Sequence, residues 1–199
     1  MKKFIFIGVL CLIVSCKGKK SVSEVDSKPP AETFIIEDII KDPTPEALKR
    51  RYPNADFRED IGLYEEGTAE RAYTILYPGT KNEIHLIWET IKREDLYQVV
   101  FSKNGDWVSS LGIGVGTSYA ELVERNGKPI KVYGFGWDYS GAVDWNGGNL
   151  QNSNLRVFLK PAIEPKPKFY TDGIIEPTQG EMDELDLRVG NIIYHLGND

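Results

Sequence analysis

Residues 111–148 read LGIGVGTSYAELVERNGKPIKVYGFGWDYSGAVDWNGG, and the rest of the chain is organised around them. Gly112, Gly114 and Gly116 alternate up to the start of a short helix. Thr117 or Ser118 caps it, and Ser118 with Glu121 fits a capping box, in which hydroxyl and carboxylate each satisfy a free backbone N–H. Ala120, Leu122 and Val123 form its expected buried side. Asn126-Gly127 ends the helix with a residue suited to positive φ, and Pro129 bars its continuation. Strands are predicted over 130–135 and 142–145, flanking the run Gly134-Phe135-Gly136-Trp137-Asp138-Tyr139-Ser140-Gly141. The alternating glycines outline a phosphate cradle. With no lysine after them, they are better read as a place where one backbone passes close to another.

On the N-terminal side, Thr44, Pro45 and Glu46 predict a second helix, with Thr44 as N-cap and Pro45 in the first position. Ala47, Leu48 and Tyr52 face inward and Pro53 stops it. The apolar lead-in from Phe34 to Ile40 fits helix or strand equally. A loop through Gly62 and Gly67 follows, then strands over 69–77, 83–90 and 95–102, with a turn at 103–106 and the sheet resuming at Trp107-Val108. Downstream, 154–160 reads as a strand. Residues 161–182 hold four of the eleven prolines and are expected to run outside the core, while 184–189 and 192–196 close the sheet.

The two halves look alike. Residues 44–54 can be laid on 117–127, placing Ala47 on Ala120 at a spacing of 73 and Leu48 on Leu122 at 74. The expected fold is therefore α+β: two tandem helix-plus-antiparallel-meander repeats, about 34–110 and 111–199, forming one curved sheet with helices packed on one side.

Residues 112–118 (GIGVGTS), the short helix and Asn126-Gly127-Lys128-Pro129 together resemble the helix-opening motif of small bacterial envelope domains. These are the SmpA-type outer-membrane assembly lipoproteins and the tandem-repeat β-lactamase inhibitory proteins. The motif covers one repeat directly and the other through the internal similarity. The resemblance implies a helix-plus-antiparallel-sheet fold and a role in binding other proteins. The inhibitory proteins carry disulfides, which this body cannot form, and no inhibitory residue is carried over.

The N-terminus gives an address. Met1-Lys2-Lys3 is basic, and Phe4 to Val14 is an apolar run of 11 residues. That run is too short to cross a hydrocarbon core of about 30 Å as a helix, and it suits a secretory signal. Ile13-Val14-Ser15-Cys16 resembles the lipobox of bacterial lipoproteins, which implies cleavage after Ser15 and diacylation of Cys16. Residues 1–15 are then a signal peptide, 16–33 a lipidated cysteine with a flexible tether, and 34–199 the body. Lys17-Gly18-Lys19-Lys20 is not acidic, which favours the outer membrane's periplasmic face. The two cysteines are Cys11 and Cys16, so the body holds no disulfide, thiol nucleophile or Cys-ligated metal.

The net charge is -6. It becomes -9 for the body, once Lys2 and Lys3 and then the four lysines and three acids of residues 16–33 are set aside. Nucleic acid is not an expected partner for so acidic a surface.

Reactive constellations are sparse. The two histidines, His85 and His195, both fall in predicted strands. Asp144-Trp145-Asn146-Gly147-Gly148-Asn149 reads as a β-turn rather than a calcium loop, lacking the spacing and the bidentate glutamate. No catalytic residue, cofactor or metal is expected. The candidate binding surface is Phe135, Trp137, Asp138, Tyr139 and Trp145, whose rings are either core or an exposed stacking and docking platform. The expected function is a lipid-anchored, non-enzymatic module that binds another envelope protein. A glycan or cell-wall binding module is the alternative, and a carboxylate-based hydrolase comes third.

Overall fold

Eight residues that read as a loop in the sequence, Phe57–Tyr64, form the outermost strand of the main sheet. The structure is a computed structural model describing residues 32–136 and 138–196. The expected leader, Cys16, most of the expected tether and Trp137 lie outside the described residues. In chain order the elements are α1 (Ile36–Lys41), α2 (Pro45–Arg51), β1 (Phe57–Tyr64), β2 (Ala69–Leu76), β3 (Ile84–Trp88), β4 (Leu96–Phe101), α3 (Tyr119–Asn126), β5 (Lys131–Val132), β6 (Val143–Asp144), β7 (Leu155–Lys160), α4 (Gln179–Leu185) and β8 (Arg188–His195). The class is α+β. Six strands form one antiparallel sheet in the order β1-β2-β3-β4-β8-β7, and β5 and β6 form a separate two-stranded ribbon.

Alternation dictates which side of the sheet is core. Ala72 and Leu76 on β2, Ile84, Leu86 and Trp88 on β3, and Leu155, Val157 and Leu159 on β7 join one buried cluster with Ile36, Ile39, Leu48 and Leu122 from the helices. β1 lacks this pattern. Glu59, Asp60, Ile61 and Leu63 all face solvent, so no apolar period of two marks it as a strand.

The predicted caps form as read. Thr44 Oγ1 accepts from the Ala47 N–H at 3.4 Å, and Pro45 opens α2. The Ser118–Glu121 capping box closes on both sides, and Gly127 ends α3 at φ 65°. The undecided lead-in is helix α1, with Ile36 and Ile39 buried. Of the expected buried side, Leu122 is buried and Val123 half-buried against the core, while Ala120 is exposed and Asn126 is buried in addition. Asn126 donates to the carbonyls of Lys128 and Trp145 at 2.9 Å and accepts from the Leu150 N–H at 3.2 Å, so a buried amide ties α3 to the turn beyond β6. At Gly114 a Cβ would lie 2.7 Å from the Trp107 carbonyl oxygen, the close backbone approach that the alternating glycines suggested.

Four other expectations fail. Instead of two strands over 184–189 and 192–196 closing the sheet, α4 runs through Leu185 and a single strand, β8, lies between β4 and β7. Trp107-Val108 does not resume the sheet, because Val108 bridges Ile35 and Gly114 outside the named strands. The predicted strands over 130–135 and 142–145 shorten to two residues each, β5 and β6, and leave the main sheet. Residues 161–182 are not outside the core: Phe169 and Ile175 are buried, Ile174 bridges Tyr133, and α4 begins at Gln179. The segment can afford this because its backbone bonds back to the aromatic loop, Phe135 N–H to the Phe169 carbonyl at 2.9 Å and Ile175 N–H to the Val132 carbonyl at 2.9 Å.

Two charged clusters fix the first hairpins. Arg71 is buried and reaches Glu65 at 2.7 Å and Glu89 at 2.9 Å, with its guanidinium 3.9 Å from the centre of the Tyr97 ring. This holds the β1–β2 loop, where Glu65 and Glu66 sit at φ 51° and 56°. Glu83 accepts from the Gly79 N–H at 2.6 Å, and Lys103 lies 3.4 Å away and His85 3.0 Å away. The Gly79 N–H, then His85 and Lys103, hold its carboxyl down at about 2 from an ordinary 4.5. A depressed folded-state value stabilises above the unfolded value, and that stability is lost as pH falls through the folded one. Acid titration should therefore destabilise the parent between about 4.5 and about 2. Glu83→Gln should flatten that part of the curve, as measured by urea midpoints across the acid range.

Candidate binding surface

The aromatic run at 134–141 is a loop cinched at its neck. Gly141 donates to the Gly134 carbonyl at 3.1 Å, Tyr133 donates to that of Ala142 at 2.9 Å, and the Leu159 N–H fastens the neck to β7 through the Gly141 carbonyl at 2.7 Å. Inside it, Gly136 N–H donates to Ser140 Oγ at 3.1 Å. A loop closed this way must send some side chains into the core and others out.

That division corrects the expected platform. Phe135 is 4% exposed and Trp145 is 6% exposed, so both belong to the core, and the Trp145 indole N–H donates to the Leu155 carbonyl at 3.3 Å. Trp145 is held inward by a tight turn: Asn146 and Gly147 have φ 54° and 69°, and Gly148 N–H returns to the Trp145 carbonyl at 2.9 Å, as the turn reading of Asp144 to Asn149 required. Tyr139 is 65% exposed and Asp138 is also at the surface. Trp137 lies outside the described residues.

What surrounds Tyr139 came from no sequence signal. The Tyr133 ring is 5.9 Å away at a tilt of 38°, and Tyr133, Asp138, Tyr139 and Asp172 bound a hollow of about 780 Å3. Across the Tyr133–Ile174 bridge lies a larger groove of about 980 Å3 between α3 and α4. Its apolar residues include Tyr119, Val123, Ile130, Val132, Ile174 and Met182, and its charged ones Lys131, Glu176, Asp183 and Asp186. Burial raises the Tyr119 phenol above its ordinary value, so it enters the groove as a neutral ring with a polar tip.

The wall made by α4 is held by charge. Glu181 closes a capping box with Thr178 and meets Lys168 at 2.7 Å and Lys166 at 3.2 Å. The Lys168 contact, then the Thr178 N–H, bring its carboxyl to about 2. The signal for this helix was present as Thr178-Gln179-Gly180-Glu181, the same pattern as at Ser118. Ile174 and Met182 carry no comparable mark, because the groove joins residues more than 50 apart in sequence.

The site offers shape, aromatic faces and charge, the means of binding. The histidines lie elsewhere, His85 beside Glu83 on β3 and His195 edge-on to Tyr97 at 4.9 Å on β8. Among the described residues no group of three or more His, Cys, Asp or Glu is placed to hold a metal ion.

No protein-family model matches the chain. No curated protein matches it either. Among solved structures it is similar to the uncharacterized protein yfeY from Escherichia coli, with a TM-score of 0.46 and 13% identity over 76% of this chain and 87% of that one. At that level the likeness carries no argument about fold or function.

Proposed function

We propose that the protein is attached to the bacterial cell envelope by a lipid on Cys16, facing the periplasm from the outer membrane, and acts as a non-enzymatic module that binds another envelope protein. The observation that carries the reading is the continuous surface on either side of Ile174. An apolar groove that Glu176, Asp183 and Asp186 also line adjoins an exposed tyrosine, and Ile174 itself is 40% exposed. A docking surface needs this combination, because a rigid aromatic anchor buries much area at little entropic cost while rim charges orient the partner. The attachment rests on Cys16 following an apolar run of 11 residues. The halves, α2 before β1–β4 and α3 before β5–β8, are read as one helix-plus-meander unit used twice around a curved sheet.

Two experiments test this. Cys16→Ala should release the chain from membranes and remove the diacylglyceryl mass from its N-terminal peptide; a variant still membrane-bound refutes the anchor. A photo-crosslinking residue replacing Tyr139 in the full chain, irradiated in intact cells, should capture a discrete protein that Ile174→Ser no longer captures. No adduct would remove this surface from the reading. A second reading has its own support: Tyr139 tilted beside Tyr133, with Asp138 and Asp172 alongside, suits stacking and hydrogen bonding of a sugar ring. An adduct resistant to protease but sensitive to a glycan-degrading enzyme would select it.

A further inference from the structure

The main sheet treats its two edges differently. At the β7 end, residues 141 and 142 cover the edge, through the Leu159–Gly141 hydrogen bond and the Ala142–Phe158 bridge. At the β1 end, no described residue pairs with the outer side of an eight-residue strand. The Tyr77 N–H bonds to the Asp56 carbonyl, which sets the phase of the ladder. Even-numbered residues bond inward to β2, and Phe57, Glu59, Ile61 and Leu63 turn their N–H and C=O groups outward. An open edge of this length is a template for another strand.

The same odd-numbered positions carry the exposed apolar side chains: Ile61 is 50% exposed and Leu63 is 67% exposed, adjacent on one face of the strand. Charge then selects the occupant. Glu59, Asp60, Glu66 and Glu70 are exposed on this hairpin and outnumber Arg58 and Arg93. A second copy would bring the same acids against themselves. The Ile61 N–H is held meanwhile by Asp60 Oδ1 at 2.8 Å, an internal acceptor standing where a partner's carbonyl would bind.

We propose that β1 is a strand-addition site for an extended, basic segment of another protein, which continues the sheet outward from β1, covers Ile61 and Leu63 with alternate apolar side chains and carries lysines or arginines on its other face, drawn by the net acidic charge that Glu59, Asp60, Glu66 and Glu70 give this edge. Main-chain hydrogen bonds supply the attachment and the alternate side chains the selectivity. The site lies at the opposite sheet edge from Tyr139, so its failure leaves the function proposed above standing.

The test uses the full chain in detergent and a fluorescent eight-residue peptide of alternating lysine and valine, followed by anisotropy. Binding is expected, and should weaken about tenfold or more when alternate backbone nitrogens of the peptide are methylated or when lysine is replaced by glutamate. Ile61→Pro removes one outward N–H while leaving the bonds to β2 in place, and should weaken binding about tenfold with an unchanged melting midpoint. Glu59→Lys should weaken it without touching the ladder, which covers the case of a proline variant that fails to fold. Equal binding of the methylated peptide would overturn strand addition, and absence of binding would overturn the site. A dimer in sedimentation that Ile61→Pro abolishes would overturn the choice of partner, since a second copy would then fill the edge.

Discussion

Trp88→Ala is expected to cost about 3–5 kcal/mol, the largest loss from any single side chain in the sheet. Trp88 ends β3, is 1% exposed, and donates from its indole nitrogen to the Thr74 hydroxyl at 3.0 Å. Truncation removes a large apolar volume at a point where neighbouring strands fix the backbone, so the surroundings cannot collapse to fill it. It also deprives the buried Thr74 hydroxyl of a donor, worth about 1 kcal/mol within that total. Since a domain is stable by only about 5–15 kcal/mol, the variant should sit close to its unfolding threshold at 37 °C. Urea denaturation at neutral pH measures this through the midpoint, with the slope unchanged. Trp88→Phe keeps most of the volume and should cost about 1–2 kcal/mol. A loss below about 1 kcal/mol for the alanine variant would mean that β3 is not buried as described.

Gly141→Ala is the second. Gly141 has φ 71°, and a Cβ there would overlap the Leu159 backbone carbonyl and lie 3.1 Å from the Leu159 nitrogen. The left-handed conformation alone costs alanine about 1 kcal/mol. The clash adds to it, because relief requires moving β7 away or giving up the Leu159–Gly141 hydrogen bond that seats the aromatic loop. A total of about 2–4 kcal/mol is expected. Gly67→Ala supplies the control: its φ is 88° with no atom within 4 Å of the added carbon, so it should show only the conformational part, about 1 kcal/mol. The difference between the two variants isolates the close approach. If both cost the same, the loop is not seated on β7. Hydrogen exchange at the Leu159 amide should accelerate in the Gly141 variant alone.

Legibility in the sequence followed the range of the interactions. Helices α2 and α3 were readable because each cap lies within three residues of its partner, Thr44 to Ala47 and Ser118 to Glu121. Strands β2 to β4 and β7 were readable because half-buried strands alternate. β1 was not, because an edge strand wet on both faces has no alternation to detect. α4 carried a capping-box pattern at Thr178 and Glu181, but the four prolines before it led the whole stretch to be expected as irregular structure. The binding surface was legible only in part. Positions 135, 137 and 139 share a face in an ideal strand, but here the chain turns through a loop, and a segment about 34 residues downstream closes over Phe135. Whether an aromatic is core or surface is then decided by a contact that no local pattern records.

The first described residues are clamped onto the body at several points. Glu32 accepts hydrogen bonds from the Asn54 backbone and side chain and from the Tyr77 hydroxyl. Phe34 packs against Tyr52, Tyr77 and Trp107, with ring centres 5.0–6.4 Å apart, while Val108 exchanges hydrogen bonds with Phe34 and Ile36. Tension pulling on the chain from its N-terminal side is therefore spread over α2, the end of β2 and the 107–108 segment together. Part of that load reaches β2 through Tyr77 and the rest goes to α2 and the 107–108 segment, so the clamp shares a pull among three segments instead of passing it to a single strand end.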